Sequence, residues 1–494
     1  MILGVDCGQT ALKAVIFDDE GRELGTGRCR TNVSVPAPHA AERDMAELAH
    51  QLDGVIRQAV SAADVDAGRI RAVGLVAHGD GIYPVDAAGR PTRPAFLALD
   101  GRSGPILDRW DREGVLAQTL ALTGQRPHAG SQAPLAAWWS AHEPATLAAT
   151  AHLLYCKDWL RLGLTGELAT DTVEAASCVG RMDGEGYEPR ALAAYGLLDL
   201  RPKLPTALRP AAVAGVVTDD AAKRTGLAAG TPVVTGTHDV VASALGSGAT
   251  VPGDYSVQAG TYSVNQLIDG RRVSDERWQS RPWVVPGQWV AMGASPSSAS
   301  NLDWFVRELM DGVDDPISVA NREAAAVADD ETTPIFHPFL FGSPYGPHAS
   351  ASFLGLRHWH GRPHLLRAVF EGVVFNHRMH LDALAERAPR RRIHLSGGAA
   401  RSDVWSQLFA DVLNCEVAVT ESTEHGALGA AMLAGVGTGM FGDVEEATRA
   451  CVRADRVFSP AAGQRTRWED RYARYLHTVE ALSAIWAAPA GLPS

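Results

Sequence analysis

The first seventeen residues constrain the fold more than any other stretch of the chain. Ile2 to Val5 read as a strand, Cys7-Gly8-Gln9-Thr10 as a polar turn, and Leu12 to Phe17 as a second strand, with Asp6 at the mouth of the turn. Tyr255 to Val264 repeats the pattern, with Gly260-Thr261 in its turn. The turns Gly8-Gln9-Thr10 and Ala259-Gly260-Thr261 are therefore expected to be equivalent in two related halves. Between them, Met45 to Ala63 carries Leu48, Leu52, Ile56 and Val60 at helical spacing. Arg71 to Ala77 is a strand that runs into His78-Gly79-Asp80-Gly81. Gly230 to Asp239 is again a short strand entering a small-residue loop that ends on an acid, and a helix is expected from Val240. Strands alternating with helices predict an α/β chain. Ser247 to Gly253 is its best linker, which predicts domains over 1–247 and 248–494.

In the last third, Ile393 to Ala400 is a strand entering the turn Gly397-Gly398, followed by an amphipathic helix over Asp403–Leu413 and a strand over Glu416–Val419. Gly426 to Ala434 is small and apolar all round, so a buried helix packed against the Gly397-Gly398 turn is expected. His358-Trp359-His360-Gly361-Arg362-Pro363-His364 reads as a turn before a helix rather than a metal cluster. Gly437 to Gly442 matches G-x-G-x-x-G but follows a helix, the wrong context for a dinucleotide turn. No lysine follows a glycine, so the P-loop pattern is absent.

Composition narrows the function. The formal net charge of -12 counts against nucleic acid as the main partner, because phosphate binding needs a basic face. No stretch of about 18 uninterrupted apolar residues could span a bilayer. Met1 leads straight into a strand with no basic leader segment, so a cytoplasmic protein is expected, with no membrane partner. The 6 cysteines form no C-x-x-C pair, which suits neither a zinc site nor a disulfide framework.

The chemistry lies in three glycine turns at strand ends. A phosphate cradle without a P-loop lysine needs turn amides, hydroxyls and a cation. Gly8, Gln9, Thr10, Gly260, Thr261, Gly397 and Gly398 supply the first two, Lys13 could add positive charge, and Asp6 could hold Mg²⁺. Asp239 is the strongest single candidate. Phosphoryl transfer to an alcohol needs a carboxylate to accept the hydroxyl proton, although an acid at this place also serves as a helix N-cap.

Read in order, these residues resemble the FGGY carbohydrate kinases. The resemblance rests on Asp6 to Thr10, Asp100-Gly101-Arg102, Leu164-Thr165-Gly166 with Thr170-Asp171, and Gly226-Leu227 to Gly230-Thr231-Pro232. It continues through Asp239, Gly260-Thr261, Gly397-Gly398-Ala399 with Trp405 and Ala410-Asp411, and Ala427 to Ala431. Within the family, Ala41 to Leu48, Asp239 to Leu245, Asn301 to Phe305 and Phe370 to His377 are similar to the L-xylulose/3-keto-L-gulonate kinase branch.

The resemblance implies two ribonuclease-H-like (actin-like) domains, with ATP and sugar in the cleft between them. The first, over 1–247, would take the sugar and phosphates, and the second, over 248–494, the nucleotide. Asp239 would be the general base, with Asp6 and Asp239 near Mg²⁺ and Thr10, Gly260 and Thr261 on the phosphates. Gly397, Gly398 and Ser402 would sit by the adenosine, where many relatives carry Asn at the position of Ser402. His78, Asp80, Asp100, Arg102 and His238 would meet the sugar. His78-Gly79-Asp80 stands where that branch favours Gln-Gly-Lys, and Thr237-His238 is also unusual. An acid at 80 would repel an acidic sugar, so a neutral ketopentose such as L-xylulose is favoured. A polyol kinase of erythritol or glycerol type, or a catalytically silent sugar-binding protein on the same fold, stays open, as does a homodimer.

Overall fold

The computed structural model describes residues 1–328, 333–346 and 348–487. The elements that position the site begin with strands β1 (Ile2–Cys7), β2 (Ala11–Phe17) and β3 (Glu23–Arg30), helix α1 (Met45–Ala63), strand β4 (Val73–Ala77) and helix α2 (Cys156–Thr165). Then come β5 (Val213–Val216), β6 (Pro232–Val234), β7 (Thr237–His238) and α3 (Asp239–Gly246). The later part contributes β8 (Tyr255–Ala259), β9 (Ser263–Asp269), β10 (Gln279–Pro282), β11 (Trp289–Ser295) and α4 (Arg362–Ala385). It ends with β12 (Arg392–Ser396), α5 (Asp403–Leu413), β13 (Glu416–Thr420), α6 (His425–Gly437) and β14 (Ala454–Phe458).

The chain divides into two compact units. One comprises 1–252, 268–291 and 424–453; the other comprises 253–267, 292–423 and 454–494. The boundary expected at 247/248 lies near the first crossing, and the chain then returns twice to the first unit.

A 7-stranded sheet in the order β5-β6-β4-β1-β2-β3 forms the first unit, with β7 also pairing to β4. The β1–β2 hairpin is antiparallel, β4 runs parallel to β1, and β6 and β7 run parallel to β4. Both faces are buried, as the near-continuous apolar strands require. Leu3, Val5, Leu12, Ala14 and Ile16 point into a core shared with Leu48, Leu52 and Ile56 of α1 and Leu160 and Leu164 of α2. The alternate residues Ile2, Val15 and Phe17 meet Val241 and Leu245 of α3 and Leu428, Met432 and Leu433 of α6. Helix α1 begins where Asp44 accepts the Glu47 N–H and ends at Asp64 in the left-handed region.

The second sheet also has 7 strands, in the order β10-β11-β9-β8-β12-β13-β14. Its hairpin β8–β9 is antiparallel, β12 runs parallel to β8, β13 parallel to β12, and β14 antiparallel to β13. This is the succession of directions around the β1–β2 hairpin. The two glycine turns expected to be equivalent do occupy the same place in two related sheets.

One packing expectation fails. Helix α6 is buried along its length, but it lies in the first unit, on β1, β4 and α3, and not on the Gly397-Gly398 turn. A Cβ on Gly4 would overlap the carbonyl of Ala427, and one on Gly74 that of Ala430, so glycines let the helix approach the strands. His360 Nδ1 and His364 Nδ1 accept the backbone N–H groups of Arg357 and Gly361 at the entry to α4, in keeping with a turn before a helix. Gly437 ends α6. No helix among the described residues is long and apolar enough to cross a membrane.

Candidate active site

In the first unit three parallel strands end in register. Cys7 lies opposite Ala77, and Ala77 opposite His238, so Gly8, His78 and Asp239 leave the sheet along one edge. Open parallel sheets place ligands at such carboxyl ends.

Asp239 is the first residue of α3 rather than its N-cap, because the extended backbone of His238 takes the cap position. Its Oδ1 accepts the Val240 N–H at 2.7 Å. Burial pushes the carboxyl up to about 6, against the lowering influence of the His78 ring and the Val240 amide. Asp6 stands on β1 among buried groups. Burial, and next the charge of Asp239, push it up to about 7, with Lys13 acting in the opposite sense. Lys13 Nζ is bonded to Glu424 Oε2 at 2.6 Å. The turn is closed by Gly8 N–H on the Ala11 carbonyl, and the carbonyls of Gln9 and Thr10 accept from Thr31. The Thr10 side chain is exposed.

The loop after β4 is the second layer of the site. His78 Nε2 faces Arg43 Nη1 at 3.3 Å and the Tyr83 hydroxyl at 3.0 Å, and its buried Nδ1 has no hydrogen-bond partner among the described residues. Gly79 packs under His238, where a Cβ would come 2.6 Å from Nε2 of that ring. Asp80 adopts φ 59°, in the left-handed region. Its carboxylate accepts from Ser177 Oγ, from His128 Nε2 at 3.2 Å and from Arg281 Nη2 at 3.3 Å. Burial raises this carboxyl, but Arg281 and His128 outweigh it and hold it well below the usual range.

Arg281 Nη1 also meets His238 Nδ1 at 3.1 Å and Glu174 Oε2 at 3.6 Å. Burial, then Arg281, push the His238 ring down to about 3. Burial pushes Glu174 well above the ordinary carboxylate value despite Arg281.

These contacts correct one premise. The negative charge of Asp80 is matched within the protein by Arg281, so repulsion of an acidic sugar cannot be drawn from Asp80 alone. Asp100 and Arg102 pair with each other. Asp100 accepts the Ala41 N–H at 2.9 Å and Arg102 Nη2 at 2.7 Å, and Arg102 reaches Glu42 at 2.8 Å while lying over the rings of Phe96 and Trp138.

Arg281 and Glu174 lie in none of the sequence motifs, and Arg43 lies within the Ala41 to Leu48 segment. Arg281 meets Asp80 across 201 residues and sits in no motif, so no local signal marks it.

In the second unit the two remaining glycine turns abut. The Gly260 carbonyl accepts the Ala299 N–H at 2.8 Å, and the Thr261 carbonyl accepts the Ser298 N–H at 3.2 Å, leaving the Thr261 side chain exposed. Gly397 has φ +85°, and a Cβ there would lie 2.7 Å from the Ala259 carbonyl carbon and 3.0 Å from the Gly260 nitrogen. Only glycine allows this approach. Gly398 follows it on the same turn. The Ser402 hydroxyl caps α5 by accepting the Trp405 N–H at 3.0 Å and donates to Asn321 Oδ1.

Comparison with known proteins agrees with this picture. The N-terminal domain of the FGGY family of carbohydrate kinases matches residues 1–246, and the C-terminal domain of that family matches 272–438. The chain is 34% identical over 98% of its length to the L-xylulose/3-keto-L-gulonate kinase of Escherichia coli, of which it covers 98%. It is 28% identical to the erythritol kinase of Brucella abortus, over 98% of this chain and 97% of that one. Its structure superimposes on the crystal structure of xylulose kinase from Rhodospirillum rubrum with a TM-score of 0.88 at 26% identity, covering 98% and 99% of the two chains. With the strand-end acids and glycine turns in place and both family domains matched, the chain belongs to the FGGY family of carbohydrate kinases.

Proposed function

We propose that this kinase phosphorylates a hydroxyl of a small neutral sugar, a ketopentose such as L-xylulose, with Asp239 as the general base. ATP is the phosphoryl donor that the family implies. The substrate oxygen forms a bond to the γ-phosphorus as the bond from that phosphorus to the ADP oxygen breaks, and the hydroxyl proton passes to Asp239. A carboxylate raised to about 6 suits this work near neutral pH.

The observation that carries the neutral substrate is the pairing of the cations around Asp239. Lys13 is bonded to Glu424, Arg281 serves Asp80, His238 and Glu174, and Arg43 serves His78 and the Gln9 carbonyl. Among the described residues Lys13 and Arg281 are already paired with carboxylates, and Arg43 is held by His78, Thr31 and backbone carbonyls, which favours a substrate without a carboxylate. The buried Nδ1 of His78 is instead a donor or acceptor that a sugar oxygen would satisfy. The relative that is 34% identical is named for both L-xylulose and 3-keto-L-gulonate, and of these two the paired cations favour the neutral ketopentose.

On this reading residues 1–247 take the sugar and phosphates and 248–494 the nucleotide. Gly8, Gln9, Thr10, Gly260 and Thr261 serve the phosphates, and Gly397, Gly398 and Ser402 lie by the adenosine. Asp6 and Asp239 fit Mg²⁺. They are hard oxygen donors, and the charge of Asp239 raises Asp6, a cost that a cation would relieve. Among the described residues no three His, Cys, Asp or Glu side chains gather as a closed metal cage. A Mg²⁺ ion held by Asp6 and Asp239 would neutralise charge on the triphosphate.

Coupled ADP release with ATP-Mg²⁺ against L-xylulose, 3-keto-L-gulonate, erythritol and glycerol tests the proposal. Turnover with L-xylulose that is lost in Asp239→Asn is expected. Preference for the acid or for a polyol would overturn the substrate. Sugar-dependent heat stabilisation without ADP release would make the chain a binding protein.

A further inference from the structure

The two unusual segments of this chain, His78-Gly79-Asp80 and Thr237-His238, meet at a single arginine delivered by β10. Arg281 is buried, with its side chain 0% exposed. One of its nitrogens faces the Asp80 carboxylate at 3.3 Å and the Gln279 Oε1 at 3.0 Å, and the other faces His238 Nδ1 at 3.1 Å. A guanidinium has five donors and no acceptor. A ring nitrogen that meets it must therefore accept, so the ring of His238 is neutral and carries its proton on Nε2.

That nitrogen is 3.4 Å from Asp239 Oδ1, the oxygen that already accepts from the Val240 N–H. Oδ2 of Asp239 has no protein donor among the described residues. Gly79 lies against the same Nε2 edge of the ring, where any Cβ would collide with it.

We infer that His238 is a positioning residue. Arg281, anchored on Asp80, locks the ring as the Nε2–H tautomer, and the ring with the Val240 amide claims Asp239 Oδ1, so that Oδ2 is the atom presented to the substrate hydroxyl. This inference rests on the reading of Asp239 as the general base. It replaces the sugar contact expected of His238 and Asp80 with a supporting role behind the base. A 3.4 Å separation is long for a hydrogen bond, as is common before substrate binds, and a small rotation of the carboxylate closes it.

Two measurements on the full-length chain test it. The first compares His238→Met, which has no donor, with His238→Gln, whose side-chain amide restores one, using ATP-Mg²⁺ and L-xylulose. His238→Met should lower kcat about ten- to a hundredfold, the cost of a misplaced base, with KM for the sugar unchanged. His238→Gln should recover most of the loss. A raised KM with kcat intact would mean that His238 binds sugar and would overturn the inference.

The second measurement needs no active variant. In ¹⁵N-histidine-labelled wild-type protein, the resonances of His238, assigned by their loss in His238→Gln, should show Nε2 protonated and Nδ1 bare. The Nδ1–H tautomer would overturn the inference, including where His238→Met fails to fold or L-xylulose is not turned over. Asp239→Asn separates the two readings. If it is dead while His238→Met is unimpaired, only this inference fails; if it is active, the general-base reading fails first and takes this one with it.

Discussion

Asp239 works under opposed influences. Burial favours its protonated form, whereas the His78 ring and the Val240 amide at the start of α3 favour the carboxylate that the proposed base must be. Replacing it with Asn keeps the shape and removes the proposed base, so kcat should fall about 10²- to 10⁴-fold while the melting temperature holds or rises. The pH dependence follows from the same shifts. Asp6 and Asp239 have folded values of about 7 and about 6, above the ordinary carboxylate value of 3.8, so the folded chain binds protons that the unfolded chain has released. Their contribution to stability is therefore greatest at low pH and is lost as the pH rises through the window from 3.8 to about 7. Urea unfolding of the ligand-free protein at steps across that window checks the sign, and Asp6→Asn should flatten the dependence. Activity runs the other way: kcat/KM should fall as the pH drops through about 6, where Asp239 takes up its proton. At this scale the two acids were legible, since each follows a strand and stands by a turn. Arg281 was not, because what makes it matter is its proximity to Asp80 and His238 across the fold.

Helix α6 shows what an element's composition does and does not say. Small apolar residues on every side mark His425–Gly437 as buried, and the structure agrees. A helix apolar all round has no polar face to orient it, however, so its partner could not be read from its own residues. The partner is marked instead by glycines on other elements, Gly4 in β1 and Gly74 in β4, where the backbones cross. Gly74→Val should push α6 from the sheet and cost about 1–3 kcal/mol or more by urea unfolding, with turnover falling alongside because β4 carries His78. The periodic elements were more transparent. Helices α1 and α5 form over the expected residues Met45–Ala63 and Asp403–Leu413, because each has a single apolar stripe and a side-chain cap.

Over the whole molecule, sequence order and spatial membership part company. Residues 268–291 and 424–453 return to the first unit, bringing Arg281 to the strand-end cluster and α6 to the lower face of the sheet. Leu428, Met432 and Leu433 share a core with Ile2, Val15 and Phe17. A fragment of residues 1–252 should therefore expose that face, bind a hydrophobic dye and melt without cooperativity, even though it holds every residue that matches one family domain. A sharp, reversible melt by circular dichroism would contradict this.

What the sequence by itself determined is local. Alternating apolar strands, glycine turns beside acids and their order along the chain are written in neighbouring residues; they sufficed for the α/β class and the two related halves, and the ordered motifs carried the resemblance to the kinase family. What only the tertiary structure decided are the pairings over long separations: Arg281 with Asp80 and His238, α6 with β1 and β4, and Gly397 with the Gly260 turn. Periodicity and turn chemistry act over a few residues, whereas a buried charge or a close backbone crossing is set by whichever distant segment the closed fold brings against it.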